Sequence, residues 1–348
     1  MNTKFTILIL IVFLLFLKLG QAQKSTFSTF RNIDKYVKRT PDSIANHIIS
    51  LSDYLLSTAK NDEEKIRAFY MWIIHNIEYK DQMELRYDPN LLFYMGSNNC
   101  SSPVCVLKKR KAVCEGFSNL FQFFCSYAGF DSYAISGYIS KDRILQNRAT
   151  HSWNLVKINN NWYFFDLSWA YAILHHSGIR SKANEYFMLS PEEFIMSHFP
   201  IIPMWQFLEN PISLAQFNAG DEEIKKHLNN APKTYVYLDS LLQFNQLSRA
   251  EQYLKTAREI HKTNPNNKFN LAIEYYRYAR TIKNSDGKND SLQNSNLLKA
   301  QEKIKLAISL LENATDISSK IMLLRIQDDL HQVNKQINKS NKEPIQNH

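Results

Sequence analysis

Three residues of this chain have types suited to acyl-transfer chemistry: Cys114, His151 and Asp166. A thiolate attacks carbonyl carbon, an imidazole carries a proton in both directions near neutral pH, and a carboxylate fixes the tautomer of that imidazole. After Cys114, the residues Phe117, Leu120, Phe121, Phe124 and Ala128 recur at helical spacing and Gly129 follows. The spacing predicts a helix from Cys114 to Ala128 with the cysteine at its N-terminus. Free backbone N–H groups and the positive end of the helix dipole favour a negative sulfur there. The preceding run Lys108-Lys109-Arg110-Lys111 would raise the local potential, although as an ordinary solvated face it needs no partner. The backbone N–H of Cys114 is one oxyanion donor in this reading; Trp72, Trp153 and Asn154 are candidates for the second. Taken singly, a cysteine on an apolar helix is core, and a histidine on a strand is a satisfied polar group.

The other two residues fall on elements that must present them to the sulfur. Strands are expected at Tyr133–Tyr138, Ser152–Ile158 and Trp162–Leu167, with His151 opening the second and Asp166 on the third. Between the last two lies Asn159-Asn160-Asn161. A two-residue primed turn at Asn159-Asn160 would pair Ile158 with Asn161. Trp153 then lies opposite Asp166 and His151 opposite Ser168, so His151 and Asp166 are diagonal neighbours on one face, roughly 7–8 Å apart along the backbone. A register slip of one residue would separate them.

Motif order adds a resemblance. The stretch Arg110-Lys111-Ala112-Val113-Cys114-Glu115-Gly116-Phe117-Ser118-Asn119-Leu120-Phe121 resembles the cysteine motif of the transglutaminase-like superfamily. His151-Ser152-Trp153-Asn154-Leu155-Val156 and Trp162-Tyr163-Phe164-Phe165-Asp166-Leu167-Ser168-Trp169 resemble its histidine and aspartate motifs, in the same order. Upstream, Trp72 to Tyr79 is similar to the helix preceding the core. Downstream, Glu185 to Phe217, with His198-Phe199-Pro200, is similar to a trailing segment of the kyphoscoliosis-peptidase and cytokinesis-protein branch. The resemblance implies an α+β fold, a papain-like core in which the cysteine helix packs on an antiparallel sheet. It implies a thioester at Cys114, with His151 as base and Asp166 as orienting acid. Many members have proline after the aspartate, where this chain has Leu167.

The remaining sequence sets the frame. Lys4 precedes an apolar run, Phe5 to Leu17, interrupted only by Thr6, and Gly20-Gln21-Ala22 follows with small residues in cleavage-site positions. A signal peptide over 1–22, cleaved near Ala22, is expected, placing the mature protein in a secreted or periplasmic setting. The four cysteines then read first as disulfide formers, and Cys100 and Cys105 flank a turn-forming stretch that a bridge could close. No metal and no cofactor are expected: there is no Cys-x-x-Cys, no acidic cluster with calcium-loop spacing and no glycine-rich phosphate loop. Helix starts are expected at Thr40-Pro41-Asp42, with Thr40 as cap, and at Asn61-Asp62-Glu63-Glu64. Residues 80–110 read as loop.

A transglutaminase-like catalytic domain is expected over 23–217, a linker over 218–232, an all-α domain over 233–340, tetratricopeptide-like in helix size, and a disordered tail over 341–348. The net charge of +9 concentrates in the last third, where residues 233–348 carry 18 basic and 12 acidic side chains. A solvated helical surface accounts for it, and an anionic surface or protein partner is the alternative; the export signal argues against nucleic acid. Two functions compete. One is a secreted cysteine enzyme acting on protein or peptide amides, expected to be hydrolytic, with an amine in place of water giving a crosslinking transglutaminase. The other is an inert papain-like domain in a binding or scaffold protein whose helical part holds the partner.

Overall fold

The computed structural model describes residues 30–80, 101–140, 147–176, 184–285 and 290–340. The expected signal peptide, residues 81–100 of the expected loop with Cys100 among them, and the tail over 341–348 lie outside the described residues.

Short helices at Arg31–Val37, Asp42–Ala45 and Ile48–Leu56 open the described chain. The start expected at Thr40 is shifted: Thr40 donates its hydroxyl to the Val37 carbonyl and finishes the preceding helix, while Pro41 takes the cap position. Helix α1 (Asp62–Asn76) begins as expected, with the Asn61 side chain accepting from the Glu64 N–H at 2.9 Å. Strand β1 (Glu78–Tyr79) follows. Helix α2 (Pro103–Lys109) replaces the end of the expected loop. Its signal was present in Ser102-Pro103, a capping side chain followed by proline in the first turn, which also serves turns. Lys108 and Lys109 occupy the last turn of α2, where cations suit the dipole, so the basic run has a structural role there. Strand β2 (Lys111–Ala112) pairs in parallel with β1 and leads into α3 (Cys114–Tyr127).

Strands β3 (Ser132–Ile139), β4 (His151–Ile158) and β5 (Asn161–Phe165) come next, then α4 (Leu167–His176) and β6 (His198–Pro200). The sheet order is β5-β4-β3-β6, with β4–β5 and β3–β6 antiparallel. Helices α5 (Asp221–Asn230), α6 (Arg249–Thr263), α7 (Lys268–Lys283), α8 (Asp290–Leu311) and α9 (Ile317–Ser340) make the C-terminal third helical.

Two compact units divide the chain: the described residues of 1–134 with 153–188, and those of 135–152 with 189–348. The first is built around aromatic rings from α1, α3 and β5. Phe69 stacks on Phe124 at 5.2 Å and Phe121 meets Phe165 at 5.3 Å. Arg67, 3% exposed, is satisfied by both Asp34 carboxylate oxygens at 2.8 and 2.9 Å and by Asn184 Oδ1 at 2.7 Å.

In the second unit one apolar core contains Tyr138, Phe199, Phe217, Ile224, Ile260 and Leu271. The linker expected over 218–232 is therefore corrected: most of it is α5, with Ile224 fully buried. Gly220, at φ 105°, joins the helix Leu214–Ala219 to α5, so its turn chemistry serves a helix–helix corner. Each of α6 to α9 packs against the next, and Ala272, Tyr276, Ala300, Ile304, Ile326 and Val333 share a separate core.

Candidate active site

Cys114 is the first residue of α3, and its position is fixed from both sides. Upstream, Glu78 N–H donates to the Arg110 carbonyl at 2.8 Å and Lys80 N–H to the Ala112 carbonyl at 3.0 Å, which holds β2 in register on β1. Arg110 makes the left-handed turn out of α2 at φ 54°, and its guanidinium lies 4.7 Å from the Trp72 ring centroid. Downstream, α3 buries Phe117, Leu120, Phe121 and Phe124. Val113 supplies no capping side chain, and its carbonyl accepts from the Gly116 and Phe117 N–H groups at 2.9 and 3.2 Å. Neither Cys114 nor Cys125 is in a disulfide. Cys114 keeps 8% exposure and Cys125 has none, and burial pushes the Cys125 thiol well above its usual value.

The β4–β5 hairpin has the expected turn. Asn159 and Asn160 have φ of 49° and 65°, the left-handed pair a type I′ turn needs. Ile158 pairs with Asn161, and the register holds through Asn154 and Phe165. Asn159 Nδ2 also donates to Glu63 Oε1 at 2.9 Å, tying the turn to the first turn of α1.

Asp166 was expected on a strand. It instead stands just past the end of β5 and caps α4, because its Oδ1 accepts from the Trp169 N–H at 3.0 Å and from the Ser168 hydroxyl at 2.8 Å. A carboxylate serves the orphan N–H groups of a helix start well. Leu167 then holds the first helical position, where proline is also favoured, so its departure from the common motif leaves the local backbone intact. Asp166 is fully buried, and two phenols register its charge. Burial lifts Tyr70 well above its usual value, against Arg67, and Asp166 adds to the rise. Tyr186 is pushed up to about 12, first by burial and then by Asp166 and Glu185.

His151 opens β4 and is 7% exposed. His198, which residue type alone did not single out, lies on β6 with its ring centroid 5.6 Å from that of His151. It is fully buried, stacked on Phe194 at 4.0 Å, with Nδ1 2.7 Å from Ser197 Oγ. His151 and His198 both belong to the second unit, and Asp166 belongs to the first.

The three oxyanion candidates have different placements. Trp72 packs edge-on against Phe124 at 6.2 Å. Asn154 donates its Nδ2 to the Ser118 carbonyl at 2.9 Å, so it bonds β4 to α3 four residues after Cys114. Trp153 is fully buried on β4.

Residues 49–167 match the family model of the transglutaminase-like superfamily. Over 199 residues the chain is 30% identical to kyphoscoliosis peptidase from Homo sapiens, covering 54% of this chain and 28% of that protein. Over 171 residues it is 30% identical to the Mus musculus kyphoscoliosis peptidase, covering 47% and 24%. It is also 30% identical over 195 residues to Lim and transglutaminase domain protein ltd-1 from Caenorhabditis elegans, covering 49% and 25%. The chain spans about a quarter of the length of these curated relatives. The architecture is a transglutaminase-like fold, an antiparallel sheet with helices, followed by a largely helical C-terminal region.

Proposed function

We propose that this chain, whose residues 49–167 form a transglutaminase-like domain, is a cysteine acyl-transfer enzyme acting on protein or peptide amides, with water as the usual acceptor. One observation carries the reading: the strand that begins with His151 is bonded, through Asn154, to Ser118 of the helix that begins with Cys114. In the proposed cycle His151 takes the Cys114 proton, and Sγ attacks the amide carbonyl carbon. The carbonyl oxygen gains charge beside the Cys114 N–H. The C–N bond breaks as His151 returns the proton to the leaving amine, and a thioester remains. Water, deprotonated by His151, then releases the acid and restores the thiol; an amine in its place would give a crosslinked product. Asp166 holds the imidazole in the productive tautomer while its Oδ1 caps α4.

An extracytoplasmic site of action belongs to the same proposal. The apolar run Phe5–Leu17 supports it, as does the disulfide at Cys105, a bond rare in reducing compartments. The kyphoscoliosis peptidases are named as peptidases, which favours hydrolysis over crosslinking.

Iodoacetamide labelling read by mass spectrometry tests the assignment. Cys114 should label faster than Cys125 and slow down in His151→Ala. A peptide-library screen with and without an added amine then identifies the acceptor. Cys114→Ala should lose about 1,000-fold or more of the activity found. Undiminished turnover in that variant would refute the proposal.

A further inference from the structure

The segment entering β4 is not held by the sheet alone. Ala149 N–H donates to Asn270 Oδ1 at 2.9 Å, and Asn270 Nδ2 donates back to the Ala149 carbonyl at 3.2 Å. One side chain on α7 thus reads both main-chain groups of a residue two positions before His151. Asn270 is itself fixed, since its N–H donates to the Asn267 side chain that caps α7. Beside it, Arg148 donates to both carboxylate oxygens of Asp316 at 3.1 Å and to Ser319 Oγ at 2.8 Å. The Arg148 guanidinium also lies 3.6 Å from the Phe269 ring centroid. On β3, the Tyr138 hydroxyl accepts from Asn264 at 3.0 Å and from Asn267 at 2.7 Å. The loop before α7, α7 itself and the start of α9 therefore grip three residues of the 138–149 stretch.

We infer that the C-terminal helices belong to the acyl-transfer machinery, with Asn270 as a positioning residue that sets His151 through the Ala149 peptide. The inference rests on the proposed role of His151 as base. A helical appendage that served only to bind a partner would need no amide side chain matched to both polar groups of one buried peptide. Such a match fixes the lateral and axial position of the backbone together, because donor and acceptor must both be met. Ala149 is two residues before the start of β4, at most roughly 7 Å from His151 along the chain, so little slack separates the clamp from the imidazole. Misplacement of a catalytic group by about 1 Å can cost about a hundredfold in rate.

The test uses the full chain and follows the iodoacetamide rate at Cys114 across pH in wild type, Asn270→Ala, Asn270→Asp and His151→Ala. Amide hydrogen exchange over residues 147–152 and the thermal midpoint are read in parallel. Asn270→Ala should slow labelling at least fivefold, shift its pH profile toward that of His151→Ala and raise exchange at 147–152. Asn270→Asp keeps the acceptor for the Ala149 N–H and suits the first turn of α7, so it should fall between the two and stands in if the alanine variant unfolds. Faster exchange with an unchanged labelling rate and pH profile would overturn the positioning role, while His151→Ala still slowed labelling and the proposed function survived. Failure of His151→Ala itself to slow Cys114 would remove the proposed function, and the positioning role with it.

Discussion

The two stretches flanking His151 are held by different kinds of physics. On its C-terminal side, the hairpin through Asp166 is fixed by local chemistry: two left-handed asparagines set the turn, the turn sets the register, and the register carries side chains to their faces. On its N-terminal side, Arg148 and Ala149 are fixed by side chains more than a hundred positions away, at Asn270, Asp316 and Ser319. Local constraints repeat in any sequence with the same turn. Distant ones depend on how a helical region happens to pack. A histidine between them draws half of its placement from each.

The sharpest way to probe the local side is at Asp166, where one carboxylate caps α4 and has a second, proposed use in catalysis. Asp166→Asn keeps a good capping side chain but removes the charge proposed to orient His151; under that proposal kcat should fall by about 10²–10⁴ with stability close to wild type. Asp166→Ala should show a similar kinetic loss and about 1 kcal/mol less stability, because the cap is gone. Urea unfolding beside peptide hydrolysis separates the two uses; equal midpoints for the variants would show that the cap holds nothing.

A smaller effect is expected at the turn. Asn160→Val places a β-branched residue at φ 65° and should cost about 1–2 kcal/mol, whereas Asn160→Gly should stay within about 0.5 kcal/mol of wild type. Urea midpoints decide this, and equal losses for the two would mean that the turn does not govern the hairpin.

The smallest effect lies on the distant side. Burial pushes Asp316 up, but hydrogen bonds from Ser319 and the charge of Arg148 outweigh it and hold the carboxyl at about 2. A folded value below the unfolded one adds stability above about pH 4, and that contribution is lost as the pH falls toward 2. Asp316 is 49% exposed, so solvent screening keeps the contribution below about 1 kcal/mol. Thermal midpoints of wild type and Asp316→Asn should differ at pH 7 and converge near pH 2. A constant gap across that range would mean that the Arg148 contact does not depend on the charge.

The same division explains what the sequence made legible. The cysteine helix, its aromatic face, three core strands and the hairpin register follow from periodicity and one Asn-Asn turn. Helices α2 and α4 were missed because Ser102-Pro103 also serves turns and because Asp166 ends a strand and starts a helix without a break in apolar pattern. The 218–232 boundary failed because Gly220 and Asn229-Asn230 punctuate helices as readily as linkers. His198 carries no spacing signal: its place beside His151 comes from the pairing of β6 with β3. The Asn270 clamp is invisible in the same way, since an asparagine in the first turn of a helix announces a cap and says nothing of a distant peptide.

The bonded cysteine in α2 has a practical consequence for anyone handling the protein. Cys105, nine positions before Cys114, is part of a disulfide and is more accessible than Cys114, the proposed nucleophile. Reductant added to keep Cys114 a thiol meets this bond first, in the helix that leads into β2. Samples kept under strong thiol buffers and samples kept without them are therefore different molecules, and assays of this chain should be run across a graded series of redox conditions.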